Sequence, residues 1–296
     1  MDATDHPARP HDNSESGHVV NRFTTSDGRS LAFRDEGTGP PVLCLAGLTR
    51  DMADFDDLAA VIGNDVRLIR MDYRGRGASD HDPDPANYAI PVETRDALEL
   101  LDHLSVDAVT VIGTSRGGMV AMGMAAMARD RLRGVVLNDV GPELDPAGLE
   151  DIRVMIGRNP AFATHEDAAS ELARINSKSF PGVPVQRWLQ LSQRWWRQGP
   201  DGLTITYDPR LAEPVLAVMD GPKIDLWPFF DAFKGLPLAL LRGANSRLLS
   251  VETTAKMRER RPDMIFAEIP DRAHVPFLDE PQSVAAIQAL LARSHP

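Results

Sequence analysis

The sequence predicts an α/β protein built on a mostly parallel, eight-stranded sheet with helices on both faces and an inserted helical segment. Three observations predict it. Short apolar runs alternate with longer helical patterns from residue 41 to 140, and again from 236 to 293. The runs are nearly continuous in apolar residues, as strands covered on both faces must be. The alternation breaks after Pro142 and resumes near 236, which marks a segment placed between two halves of one sheet.

The elements follow in order. "NRFTTSDGRSLAFRDEG" reads as a hairpin turned at Asp27-Gly28. Strands are expected over 41–47, 66–73, 108–115 and 132–140, with helices over 53–63, 92–104 and 117–129 between them. Met119, Met122, Met124 and Met127 lie on the last of these helices and read as core filling. From 143 to 230 the chain is expected to be mostly helical; it is punctuated by prolines and carries all four tryptophans, Trp188, Trp195, Trp196 and Trp227. Strands over 236–243 and 264–270 and helices over 251–261 and 281–293 complete the sheet. The division is then a disordered tail over 1–19, a core over 20–142 and 231–296, and a helical cap over 143–230. The cap is expected over the C-terminal edge of the strands, where pockets form in open α/β sheets.

Composition narrows the function. The 296 residues carry a formal net charge of −11, which argues against sequence-independent binding to nucleic acid or anionic lipid. Cys44 is the one cysteine. It allows no intramolecular disulfide or cysteine-based metal site and reads as a buried thiol. The first twenty residues are polar and lack the apolar stretch of a secretory signal. No run reaches the roughly 18 apolar residues of a membrane span. The expectation is a cytoplasmic protein acting on a small molecule, with no metal, no organic cofactor, and no nucleic-acid or membrane partner. The sequence does not specify an oligomeric state.

"VIGTSRGGMVAM" carries the chemistry. Gly113-Thr114-Ser115-Arg116-Gly117 fits G-x-S-x-G between an apolar strand and a helix of small residues. The glycines allow a turn too tight for a side chain at 113 or 117. The Ser115 Oγ then stands clear of the sheet at the positive end of a helix, and the Arg116 N–H faces the place where an oxyanion would develop.

Four further segments extend this pattern: "LCLAGLTRDMADF", "MDYRGRGASD", "LNDVGPELDPAGL" and "IPDRAHVPFLDEP". With them the chain resembles the α/β-hydrolases from about residue 20 to 295. The resemblance implies a nucleophile at Ser115, a base at His274, and an oxyanion hole made by the backbone N–H groups of Leu48 and Arg116. Two departures stand out. Many relatives have His-Gly on the oxyanion loop, where this chain has Ala46-Gly47. Relatives with a loop similar to "RGANSRLLS" carry Asp where Arg247 stands. A cation opposes proton uptake by a neighbouring imidazole, so Arg247 must point away or be paired. Asp139 is the substitute acid, because it ends the strand that follows the nucleophile's strand and helix. Capping the turn "DVGPE" is its competing role, and Asp271 and Asp279 remain as other carboxylates.

For the rest of the pocket, Arg74 reads as a loop-to-loop anchor. Arg50, Arg116 and Arg247 near the rim are candidates for holding a substrate carboxylate, with surface solvation the simpler reading. Trp195 and Trp196 read as core packing first and as an apolar substrate wall second, and Trp227 as closing the pocket. The expected activity is hydrolysis of a small or medium carboxylic ester or lactone through an acyl-enzyme. The same residues would serve an amide or a C–C bond β to a ketone, whereas a dehalogenase or epoxide hydrolase of this fold would need Asp at position 115. Arg247 keeps open a lapsed hydrolase that binds a ligand.

Overall fold

The computed structural model describes residues 19–295; the expected tail lies, but for its last residue, outside them. Strands β1 (Asn21–Thr24) and β2 (Ser30–Glu36) pair antiparallel around Gly28, whose φ is +84°. Then come β3 (Pro41–Leu45), α1 (Asp56–Ile62), β4 (Arg67–Met71), α2 (Ile90–His103), β5 (Val109–Thr114), α3 (Arg116–Met127) and β6 (Leu132–Asn138). The inserted segment holds α4 (Pro146–Met155), α5 (His165–Ile175), α6 (Val185–Trp195), β7 (Trp196–Gly199), β8 (Gly202–Ile205), α7 (Ala212–Asp220) and α8 (Trp227–Asp231). The sheet resumes with β9 (Leu238–Gly243), α9 (Val251–Arg260), β10 (Ile265–Ile269) and α10 (Pro281–Ser294).

The eight-stranded sheet runs β1-β2-β4-β3-β5-β6-β9-β10. The β1–β2 and β2–β4 pairs are antiparallel, and every later pair is parallel. All six residues of β5 and of β9 are buried, which is why their sequences do not alternate. Successive side chains still point to opposite faces. Leu43, Val111, Val135 and Leu240 join Leu100 of α2, Met124 of α3 and Met257 of α9 in one core. Val42, Cys44, Ile112, Val136 and Leu241 join Leu58 of α1 and Leu290 of α10 in the other. Burial pushes the Cys44 thiol up to about 12, so it stays protonated and inert at neutral pH.

The parallel register fixes where the site is. Leu45 pairs with Gly113, Thr114 with Asn138, Asn138 with Leu241, and Gly243 with Ile269. The loops after β3, β5, β6, β9 and β10 therefore leave from one edge of the sheet.

One expectation gains a detail and one needs correction. The inserted segment is mostly helical but also holds an antiparallel hairpin of β7 and β8. Its turn, Gly199-Pro200-Asp201-Gly202, is a strong turn signal, with Gly202 at φ +121°. The four methionines of α3 are not all core. Met122 and Met124 are buried and Met119 packs against them, but Met127, at the exposed end of the helix, is 59% exposed. Among the described residues no helix is long and apolar enough to cross a membrane.

The loop after β4 binds several parts of the molecule together. Arg74 is fully buried and donates to both oxygens of Asp96 on α2 at 2.7 Å, to Asp82 at 2.6 Å and to Asp27 of the β1–β2 turn at 3.0 Å. The same loop meets the inserted segment. Gly77 N–H donates to Thr206 O at 3.2 Å, Asp208 N–H to Gly75 O at 2.7 Å, and the Tyr88 hydroxyl to Asp208 at 2.6 Å. Replacing Arg74 leaves three carboxylates without their shared cation. Arg74→Leu is expected to cost on the order of 3–5 kcal/mol of stability, read as a lower denaturant midpoint by circular dichroism.

Candidate active site

The turn from β5 into α3 is shaped by backbone contact. A Cβ at position 117 would lie 1.9 Å from the Leu45 carbonyl oxygen of β3, and one at 113 would lie 2.6 Å from the Gly117 carbonyl. Glycine at both positions lets α3 lie directly against the sheet. Ser115 sits in the turn at φ 51°, ψ −112°, a conformation that a non-glycine residue holds only where its surroundings enforce it. Its N–H donates to Asn138 O at 3.0 Å. Arg116 opens α3, where the first N–H groups of a helix have no intrahelical acceptor. Its guanidinium donates to Glu93 at 2.6 Å and to Tyr88 O at 2.9 Å. Glu93 is fully buried and forms a second ion pair with Arg76 at 2.9 Å. Burial pushes the Glu93 carboxyl up, but Arg116 and Arg76 outweigh it and hold it below the usual range.

Asp139 follows β6 with φ 55° and no exposed surface. Three donors surround its carboxylate. Gly243 N–H donates to Oδ1 at 2.9 Å, and Oδ2 accepts the Ser246 hydroxyl at 2.6 Å and His274 Nδ1–H at 2.8 Å. With the Nδ1 proton facing Asp139, the other ring nitrogen is an acceptor. His274 Nε2 lies 2.9 Å from Ser115 Oγ. The structure thus brings Ser115, His274 and Asp139 into one chain of hydrogen bonds at the edge where their strands end.

The competing carboxylates are engaged elsewhere. Asp279 pairs with Arg187 at 3.0 Å, Asp271 is exposed, and neither bonds to His274. The cap of α4 is Asp145, which accepts Ala147 N–H at 2.9 Å. Arg247 points away from the site and pairs with Asp151 of α4 at 3.1 Å, both side chains at least half exposed. The residue of that loop which reaches the site is its neighbour Ser246, which sequence reasoning missed although the loop itself drew attention. Asn138 was also missed. Its amide donates to Thr114 Oγ1 at 3.2 Å and to Pro276 O at 3.1 Å, tying β6 to the His274 loop.

The loop after β3 is anchored by Arg76, whose Nε donates to Leu48 O at 2.6 Å. Arg50 lies over the Trp195 ring at 3.9 Å, and the Trp195 indole N–H donates to Asp54 at 3.1 Å. Trp196 meets Trp195 edge to face at 6.0 Å. Both pack onto a cluster of Phe180, Trp188 and Leu191 that reaches Ala273 and Phe277, on either side of His274. Trp227 departs from its expected place. Its indole N–H donates to Glu143 at 2.8 Å and its ring lies under Arg260 at 4.3 Å, and neither partner belongs to the Ser115–His274–Asp139 chain. Beside the oxyanion-loop candidate, Asp51 accepts Ala53 N–H at 2.9 Å, and Asp72 accepts Met52 N–H at 2.7 Å and Ala78 N–H at 2.9 Å. Burial and then the Asp72 charge push Asp51 up to about 8, and burial pushes Asp72 up to about 6.

Comparison with known proteins gives a consistent picture. Residues 42–287 match the profile described as the alpha/beta hydrolase family. The chain is 36% identical to the 3-hydroxybutyrate-oligomer hydrolase of Cupriavidus necator, over 86% of this chain and 90% of that one. It is 26% identical to the 2-(acetamidomethylene)succinate hydrolase of Mesorhizobium japonicum, over 88% and 90%. An alpha/beta hydrolase crystal structure from Novosphingobium aromaticivorans superposes with a TM-score of 0.87 at 41% identity, covering 93% of this chain and 98% of that one.

The raised Asp51 carboxyl sets a pH dependence. Its folded pKa lies above the unfolded value, so the fold takes up a proton between about 4 and 8. The carboxyl's contribution to stability therefore declines as pH rises through that window. Asp51→Asn keeps an oxygen for Ala53 and removes the ionisation. The variant is expected to melt a few degrees above the parent at pH 8.5, with the gain shrinking toward pH 5; scanning calorimetry at the two pH values checks it.

Proposed function

This chain belongs to the alpha/beta hydrolase family, and from that premise we propose that it is a serine hydrolase of small or medium carboxylic esters. The continuous hydrogen-bond chain from Ser115 through His274 to Asp139, at 2.9 and 2.8 Å, carries this reading. Ser115 Oγ attacks the ester carbonyl as His274 Nε2 takes its proton. The carboxylate of Asp139 holds the Nδ1 proton in place and stabilises the imidazolium that forms. The backbone N–H groups of Leu48 and Arg116 receive the oxyanion. His274 then returns the proton to the departing alcohol. Water, deprotonated by the same imidazole, attacks the acyl carbonyl, and the imidazolium returns that proton to Ser115 Oγ as the acid leaves.

The segment over 143–230 acts as the cap. Its aromatic cluster packs against Ala273 and Phe277, and its Trp195 lies under Arg50 of the oxyanion loop. An ester is favoured over an amide or a C–C bond by the relative named as a 3-hydroxybutyrate-oligomer hydrolase, since oligomers of a hydroxy acid are joined by ester bonds. The pairing of Arg247 with Asp151 weighs against a lapsed hydrolase, since the cation is engaged outside the Ser115–His274–Asp139 chain.

A fluorophosphonate probe is expected to label Ser115, and p-nitrophenyl esters from acetate to octanoate to be turned over; an unlabelled protein that leaves every ester intact would falsify the reading. Asp139→Asn is expected to lower kcat on the order of 10⁴-fold with folding intact. Ser246→Ala should lower it about tenfold, and Ser246→Thr, which keeps the hydroxyl, should recover most of that loss. Arg247→Asp is expected to change the rate less than about twofold, as suits an exposed ion pair; a large gain would mean that the loop had lost a needed acid.

A further inference from the structure

The arginines around the site are engaged, with one exception. Arg76 donates to Leu48 O and Arg74 O and faces Glu93. Arg116 is held by Glu93 and Tyr88 O, Arg187 and Arg194 by Asp57, and Arg247 by Asp151. Arg50 is half-buried, on the loop that carries Leu48. Among the described residues its guanidinium has no hydrogen-bond acceptor and no carboxylate at ion-pair distance. It rests on the face of Trp195 at 3.9 Å. Burial pushes its pKa down, while Asp54, Tyr207 and Asp51 act the other way; a guanidinium keeps its charge under such shifts. Asp54 already accepts the Trp195 indole N–H.

A half-buried cation with no protein acceptor has only water to satisfy its N–H groups. Stacking on Trp195 covers one face of the guanidinium and leaves its N–H edges open. Those edges match a planar, two-oxygen acceptor in the plane of the group. A singly charged carboxylate balances one guanidinium, whereas a dianionic phosphate would leave a negative charge over beside Asp54. The position sets the reach. Arg50 lies two residues beyond Leu48, a backbone span of at most about 7 Å, so an acid held there is close to a carbonyl whose oxygen meets the Leu48 amide.

We propose that Arg50 binds a free carboxylate of the substrate, and that this protein prefers short esters ending in an acid, such as the linear dimer of a 3-hydroxy acid, whose carboxylate stands a few bonds from the ester carbonyl. This rests on the serine-hydrolase reading and adds to it the charge of the substrate and the residue that selects it.

The test compares kcat/KM for the linear 3-hydroxybutyrate dimer as free acid and as its methyl ester. The parent is expected to favour the acid on the order of tenfold to a hundredfold. Arg50→Gln should bring that ratio to about one, and Arg50→Lys should keep part of it. A merely structural role for Arg50 would lower both rates together and preserve the ratio. A parent that treats acid and methyl ester alike, or a preference that survives Arg50→Gln, overturns the proposal. Fluorophosphonate labelling and p-nitrophenyl butyrate separate the two levels. If Ser115 labels and this ester is cleaved while the ratio is one, Arg50 alone is misassigned. If neither occurs, the hydrolase reading falls and the Arg50 proposal falls with it.

Discussion

Asp139 has no contact with water, and a carboxylate buried in that way must find donors to replace the solvent it loses. The backbone of Gly243, the hydroxyl of Ser246 and the imidazole of His274 supply them. None of the three belongs to the strand that carries Asp139. They arrive only because the chain returns from its inserted segment to lay β9 beside β6 and β10 beside β9. The order of strands and the environment of one carboxylate are thus a single constraint. Asp139 N–H donating to Leu241 O at 2.8 Å is where the two meet.

A second layer of charge lies beneath the turn that carries Ser115. Glu93 holds Arg116 and Arg76, and Arg76 in turn holds the carbonyl of Leu48. One buried carboxylate on α2 therefore ties the start of α3 to the loop after β3. Buried ion pairs of this kind add little net stability over apolar packing. Their effect here is geometric, since they hold two loops from different strands in a fixed relation.

Much of this was readable in the chain because it is local. Continuous apolar runs marked the doubly covered strands, Asp27-Gly28 marked the hairpin, and Gly113 and Gly117 around Ser115 marked the tight turn. The place of Asp139 followed from a rule about parallel strands, not from its neighbours in sequence. What escaped depended on directions taken by side chains in loops. Nothing in "NSRLLS" says that Ser246 turns inward while Arg247 turns out to Asp151. Trp227 was placed by its position near the end of the inserted segment, but its partners Glu143 and Arg260 lie far from it in sequence. The β7–β8 hairpin was missed for another reason: its turn signal was present but was outweighed by the helical pattern on either side.

Gly117 has a reach beyond the turn it completes. Position 117 faces the carbonyl of Leu45 with no room for even one carbon between them. Helix α3 and strand β3 are therefore in register main chain to main chain, with no side chain acting as a spacer. The Arg116 amide rides on α3 one residue before the contact, and Leu48 follows in the loop three residues after it. The main-chain contact sets where that loop departs, and Arg76 sets the course it takes from there. Side chains outside the Glu93–Arg76 pair can therefore be exchanged without moving the point from which the loop begins.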